Sequence, residues 1–230
     1  MNPNTPDKEM EVEESMVNSL DIAGLRRSYT LDGLLEEQLP DDPVLLFRLW
    51  FEQALKSEVI EPNAMTLSTV KKDGTPDGRL VLLKGVEDDA VTFYTNYSSD
   101  KADDLATCPF AACCFWWPEL ERQIRLRGPV ERVSREESAS YFSSRPRESQ
   151  IGAWASHQSQ EITSRQQLES RYLEIEHRFE GREIPLPEEW GGYRIRLVDV
   201  EFWQGRPGRL HDRIRYRLQA GKWKRDRLSP

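Results

Sequence analysis

The chain has 230 residues, 37% hydrophobic and 31% charged, with a net charge of −8 from 32 basic and 40 acidic side chains. That size holds one large domain or two small ones, and the acidic balance excludes a protein whose whole surface grips nucleic acid while leaving room for local cationic pockets. Apolar runs fall far short of the ~20 residues a membrane helix needs, and the three cysteines, Cys108, Cys113 and Cys114, form neither a disulfide framework nor a metal-ligand spacing.

Residues 1–20 are acidic and polar, with Glu9, Glu11, Glu13 and Glu14, and read as a disordered tail rather than a secretory signal. No Gly/Ser-rich or Pro-rich linker divides 21–230, which reads as a single domain in a reducing cytoplasm. Asp42 and Pro43 open a helix, one as cap and one in the first turn, and Val44, Leu45, Phe47, Trp50, Phe51, Ala54 and Leu55 return at helical spacing. Short runs with turn signals follow. Strands are expected at 64–71, closed by Asp73-Gly74, then at 79–84, 90–95, 110–117 and 123–133. A small helix near 100–106, capped by Ser98 or Ser99, separates the third from the fourth. Adjacent Cys113 and Cys114 then point to opposite faces of one strand.

Helices come next. Ser134 and Glu137 form a capping-box pattern, Pro146 begins a short helix through Trp154, and Thr163 with Gln166 opens a longer one. The long helix sets Leu168, Tyr172, Ile175 and Phe179 on one face, and Gly181 ends it. Strands return at 193–200, 209–218 and 222–227, the last two joined at Ala220-Gly221. Strands meeting at short turns pair antiparallel, so the expected class is α+β: a closed or nearly closed antiparallel barrel with helices around it.

Cationic residues recur beside aromatic and hydroxyl residues: Arg79 to Lys84, Tyr94-Thr95, Lys101, Tyr141 with Arg145 and Ser149, Gln158-Ser159, and Arg209 to Arg213. Such a set suits a phosphorylated ligand, with Arg as a planar fork, Lys as a point charge and hydroxyls as further donors. No Gly-x-Gly-x-x-Gly or Walker-type loop exists, so any nucleotide is held by side chains. Taken singly, each of these is more often a solvated charge. His177 reads as surface, His157 is ambiguous, and His211 is the most suggestive histidine, although a strand of alternating charges would also place it there. Trp203 is equally a core residue. No isolated carboxylate pair, Ser-His-Asp set or Cys-His set stands out.

Longer strings go further. Arg79-Leu-Val-Leu-Leu-Lys84, Phe93-Tyr-Thr-Asn96, Ser144-Arg-Pro-Arg147, Ser149-Gln-Ile-Gly-Ala-Trp154, His157-Gln-Ser159, Glu201-Phe-Trp-Gln-Gly205 and Arg209-Leu-His-Asp-Arg213 stand in the order of the pyridoxine/pyridoxamine 5′-phosphate oxidase family, which the chain resembles from about Ile22 to Pro230. The resemblance implies an antiparallel split β-barrel of the FMN-binding type with surrounding helices, a homodimer with FMN at the subunit interface, and oxidation of pyridoxamine or pyridoxine 5′-phosphate to pyridoxal 5′-phosphate. Dioxygen would be the acceptor, with release of hydrogen peroxide, and of ammonia from the amine. It implies FMN contacts from Arg79, Leu80, Val81, Leu82, Leu83, Lys84, Tyr94, Thr95, Lys101, Gln123, Gln158, Ser159, Trp203 and Arg213. Lys84, Tyr141, Arg145 and Ser149 would meet the substrate phosphate, and Arg209, Leu210 and His211 would close over the pyridine ring, Arg209 and His211 as catalytic residues. Arg26, Arg27, Ser28 and Tyr29 match a segment that covers the site in that family. One departure is Asp100, where the family usually has Arg beside the following Lys; Arg125 or Arg127 is the expected substitute for that charge. A split-barrel reductase with a nicotinamide or deazaflavin donor would share the fold but not the substrate set. A non-catalytic carrier of flavin or pyridoxal phosphate could lose Arg209 or His211, and both are present.

Overall fold

The computed structural model describes residues 28–31 and 33–230. The expected N-terminal tail, and Arg26 and Arg27 with it, lie outside the described residues. Helix α1 (Pro43–Lys56) starts where the sequence places it, because the Asp42 carboxylate accepts the Val44 N–H at 2.8 Å. Its buried side, with Val44, Leu46, Phe47, Trp50 and Ala54, packs on the inner face of a ten-stranded antiparallel sheet.

That sheet comprises β1 (Ala64–Val70), β2 (Pro76–Leu82), β3 (Gly85–Val86), β4 (Ala90–Asn96), β5 (Phe110–Trp117), β6 (Arg122–Arg132), β7 (Trp190–Arg196), β8 (Asp199–Gln204), β9 (Asp212–Gln219) and β10 (Lys222–Leu228). One hydrogen-bonded path runs β10-β9-β8-β6-β5-β1-β2, and β7, β4 and β3 branch from the far end of β6. Strand β6 therefore belongs to both halves: its residues 122–127 pair with β8 and 130–132 with β7. The two halves curl toward each other, but no ladder joins β2 to β4, and the barrel stays split.

The residues expected as one strand at 193–200 divide between two. After β7 the Leu197 N–H turns to the Asp89 carbonyl and the Val198 N–H to that of Arg127, so the chain changes partners across β6. Gly128 permits the crossing: a Cβ there would lie 1.6 Å from the Arg196 carbonyl oxygen. The strand expected from Arg209 starts instead at Asp212, after a 3₁₀ turn over Pro207–Arg209. Two-residue β3 is too short for period-2 patterning to reveal.

Helix α2 (Asp100–Thr107) follows Ser99, but the Ser99 hydroxyl donates to the Asn96 carbonyl and does not cap it. Helix α3 (Arg135–Ser144) is capped by Ser134, whose hydroxyl accepts the Glu137 N–H. The Glu137 carboxylate does not complete the box but pairs with Arg194 at 2.9 Å. Helix α4 (Arg147–Ala155) follows Pro146. For α5 (Arg165–Arg178) the cap is Ser164 over Gln167, one residue beyond the expected Thr163; Thr163 N–H instead donates to the Gln167 side chain. Phe142, Ile151, Phe179, Ile184 and Trp190 form a second small core among these helices, with Tyr172 and Ile175 packed against it. The main core fills the barrel; truncating a fully buried ring such as Phe202 to Ala would cost about 3–5 kcal/mol.

Candidate functional site

Between the two cores, where β2 and β4 fail to pair, lies a cavity of about 350 Å³. Leu80, Val81, Leu82 and Lys84 line it from β2 and its end, Tyr94 and Thr95 from β4, Lys101 from α2, and Tyr141, Arg145 and Ser149 from α3 and the start of α4. Gln158 lines it from the loop after α4. Residues from Leu80 to Trp190 thus converge because the sheet leaves its edge open and the helices cover that gap.

The walls are aromatic. Tyr94 stacks on Tyr141 with centroids 3.9 Å apart, and on Trp190 at 5.6 Å. Burial raises the Tyr94 hydroxyl pKa to about 12, with Glu137 adding to the effect, so the phenol stays a neutral donor. Trp190 escaped the sequence reading; the only signal was a bulky ring directly ahead of two glycines. It lines the cavity and carries the Arg145 guanidinium 4.7 Å above its ring.

Two cations with buried nitrogens on this cavity, Lys101 and Arg145, form no ion pair among the described residues. Lys101 is buried, and among the described residues its ammonium donates to two neutral oxygens, Ser99 Oγ at 2.9 Å and Gln158 Oε1 at 2.8 Å. Burial, with the Arg79 charge second, lowers its pKa to about 8, against a smaller upward pull from Asp100. Arg145 Nη1 is buried without a hydrogen-bond partner among the described residues, and burial lowers the Arg145 pKa as well. Buried charge of this kind is costly unless an anion joins it. Arg79 stands behind Lys101 but already has partners: Asp77 at 2.9 Å, Asp104 at 3.6 Å and Thr69 Oγ1.

Other expected residues fall elsewhere. Leu83 is buried in the main core. Ser159 sits beside Gln158 with φ 68°, its hydroxyl accepting the Asp100 N–H at 3.3 Å. The Asp100 side chain is exposed at the start of α2. Arg125 and Arg127 do not line the cavity: they pair with Glu201 and Asp199, so the expectation that either substitutes for a charge at position 100 finds no support within the chain.

Gln123, Trp203, Arg209, Leu210, His211 and Arg213 form a second group with Tyr29. Gln123 faces Trp203 across the β6–β8 ladder, and Arg213 faces it across β8–β9 while pairing with Glu201 at 2.8 Å. The His211 ring lies 4.6 Å from Trp203 and 5.5 Å from Tyr29. Its Nδ1 accepts the Arg206 N–H at 3.1 Å, which leaves the proton of the neutral ring on Nε2. Burial, then the Arg209 charge, lowers its pKa and favours that neutral form. Arg209 and Leu210 are exposed, as is Ser28. Strands β1, β5, β6 and β8 separate β2 from β9 in the ladder, five spacings of ~4.8 Å along the curled sheet.

Comparison with known proteins bears on both groups. Residues 51–179 match the family model for pyridoxamine 5′-phosphate oxidase, and 190–230 match that for the pyridoxine 5′-phosphate oxidase C-terminal dimerisation region. A pyridoxine/pyridoxamine 5′-phosphate oxidase of Polynucleobacter asymbioticus is 55% identical over 91% of this chain and 99% of its own. One from Cyanothece sp. is 50% identical over 92% of this chain and its own full length. Among solved structures, PhzG from Burkholderia lata, in complex with tetrahydrophenazine-1-carboxylic acid, has TM-score 0.82 and 29% identity over 87% of this chain and 99% of its own. A pyridoxamine 5′-phosphate oxidase-related, FMN-binding protein from Nostoc punctiforme has TM-score 0.64 over 80% of this chain and 97% of its own; at 18% identity it supports the fold alone.

Proposed function

The chain belongs to the pyridoxine/pyridoxamine 5′-phosphate oxidase family, and from that premise we propose that it is an FMN-dependent oxidase converting pyridoxamine and pyridoxine 5′-phosphates to pyridoxal 5′-phosphate. The observation that carries this reading is a pair of cations on one aromatic cavity, buried Lys101 and half-buried Arg145 with its Nη1 buried, that form no ion pair among the described residues. The reaction needs two phosphates, one on FMN and one on the substrate, and the donor set fits both. Lys101, backed by Arg79, takes the FMN phosphate, with Thr95, Gln158 and Ser159 as neutral donors. Arg145, Lys84, Tyr141 and Ser149 take the substrate phosphate. FMN held by these residues would supply the redox chemistry, as acceptor of hydride from the substrate C4′ and as the route of both electrons to dioxygen, which leaves as hydrogen peroxide. With the amine, water then replaces nitrogen at C4′ and ammonia leaves.

The chain's own task is orientation and charge compensation. The C-terminal match indicates a homodimer. We place FMN at its interface, with the second group of residues from one subunit completing the cavity of the other. Support comes from the strand separation between the groups and from Leu80, 73% exposed beside the cavity. Arg209 and neutral His211 then lie over the pyridine ring, where Arg209 orients the substrate and His211 exchanges a proton. We read 21–230 as one domain, which the ten-stranded sheet spanning both matched regions supports. Among the described residues no helix is long and apolar enough to cross a membrane, and three free cysteines suit a cytoplasmic setting. A phenazine-type substrate rests on one structural neighbour at 29% identity, against 50–55% for the oxidases.

The test is a flavin spectrum of the purified protein, its sedimentation, and peroxide release with each substrate. A yellow dimer that releases peroxide with both is expected. A colourless protein that takes up no added FMN, or a flavoprotein inert toward both phosphates, would overturn the reading.

A further inference from the structure

Glu121 is 2% exposed and lies in the β5–β6 turn. Its backbone is left-handed, φ 53° and ψ 39°, a conformation that non-glycine residues rarely adopt. Three contacts hold that backbone against the end of β8. Gly205 N–H donates to the Glu121 carbonyl at 2.8 Å, and the Gln204 amide donates to the carbonyls of Leu120 and Glu121. The carboxylate is thereby turned toward the N-terminal segment, where Oε2 accepts the backbone N–H of Thr30 at 3.0 Å and of Leu31 at 3.3 Å.

Those bonds fix the residue just before them. Tyr29 packs edge-on against Trp203 at 5.7 Å and against His211 at 5.5 Å. The ring fits because Gly205 has no side chain: a Cβ there would sit 2.7 Å from Tyr29 Cγ and Cδ1. A second carboxylate secures the segment further on, with Asp212 Oδ2 accepting the Leu34 N–H at 3.0 Å.

We infer that Glu121 is a positioning residue for the oxidase reaction: it clasps Thr30 and Leu31 so that Tyr29 holds Trp203 and His211 in place over the substrate. The inference rests on the proposed oxidase reading for its kinetic consequence, but the clasp itself is measured without turnover. The backbone amides are the recognised groups, so a glutamine, which keeps one acceptor oxygen, should largely serve, whereas an alanine should not.

The experiment compares Glu121→Ala, Glu121→Gln and Gly205→Ala with the parent holoenzyme in two readouts. Hydrogen exchange at residues 28–34 reports the clasp, and steady-state kinetics with FMN content report its effect. In Glu121→Ala, exchange at Thr30 and Leu31 should accelerate about tenfold or more, and KM for the phosphorylated substrate should rise about tenfold, the scale for losing a charge-assisted bond. FMN content and kcat should change little. Glu121→Gln should restore protection and KM to within a few-fold. Gly205→Ala, which keeps the Glu121 carboxylate and displaces Tyr29 while its Cβ presses on Glu121 Cβ at 3.1 Å, should raise KM by a similar factor. Unchanged exchange at Thr30 and Leu31 in a folded Glu121→Ala protein overturns the clasp. Accelerated exchange with unchanged KM overturns the positioning role, as does failure of glutamine to rescue. A parent that oxidises neither phosphate while Glu121→Ala still opens the segment refutes the oxidase reading and leaves the clasp standing. Should Glu121→Ala not fold, Gly205→Ala and Glu121→Gln decide the outcome on the same readouts.

Discussion

Replacing Lys101 with Met is the sharpest probe of the phosphate assignment. The side chain is buried, donates to two neutral oxygens, and has its pKa lowered to about 8, first by burial and then by Arg79. Removing a charge-assisted contact of this kind costs about 1.5–3 kcal/mol, so Lys101→Met should weaken FMN roughly ten- to more than a hundredfold. The signs of two pH effects differ. Below about pH 8 the amine of the FMN-free protein carries its proton, and affinity is flat once the phosphate is doubly ionised above about pH 6. Above about pH 8 FMN must bring a proton back to the amine, and affinity falls by up to tenfold per pH unit. The FMN-free fold moves the other way. Its lysine pKa lies below the unfolded value, so over the same window the unfolded chain holds more protons and stability rises with pH. Fluorescence-quenching titrations at pH 7, 8 and 9, with melting curves of the FMN-free protein, measure both. Parent-like affinity in Lys101→Met, or the same pH dependence in parent and variant, would refute the reasoning.

Arg145→Ala should raise KM for the phosphorylated substrates roughly ten- to more than a hundredfold while FMN stays bound, since it removes the guanidinium with the unpartnered Nη1; an unchanged KM in steady-state assays assigns Arg145 to packing on Trp190 alone. His211→Ala and Arg209→Ala should each lower kcat/KM without releasing FMN, and a variant matching the parent loses its role. The lowered His211 pKa predicts that activity persists below the usual histidine range, and falls only as the neutral ring becomes protonated; a pH–rate profile checks this. Asp100 is exposed at the start of α2, so Asp100→Arg should tighten FMN by no more than about fivefold at low salt, with the gain lost at high salt; equal affinities at low salt would show that position 100 does not face the phosphate.

Local physical chemistry was enough for much of the fold. Asp42 and Pro43 start α1, Ser134 caps α3, and the alternation from Phe110 to Trp117 makes a strand with Cys113 inside and Cys114 half-buried, because caps and pleats act over a few residues. The residue strings that line the cavity were equally legible, since those side chains stand in the sequence whatever the chain does between them. Long-range geometry was not. That 193–200 breaks into β7 and β8 depends on where β6 crosses at Gly128, a contact made with Arg196. That Trp190 floors the cavity depends on the turn bringing it to Tyr94 and Arg145. Which cations are free was also hidden: Arg79, Arg125, Arg127 and Arg213 look like Lys101 and Arg145 in sequence, yet the first four form ion pairs with carboxylates and the last two form none among the described residues. Sequence determined which charged groups the chain carries. Tertiary structure decided which were neutralised, because the pairing of charges is set by strand register and packing across the fold.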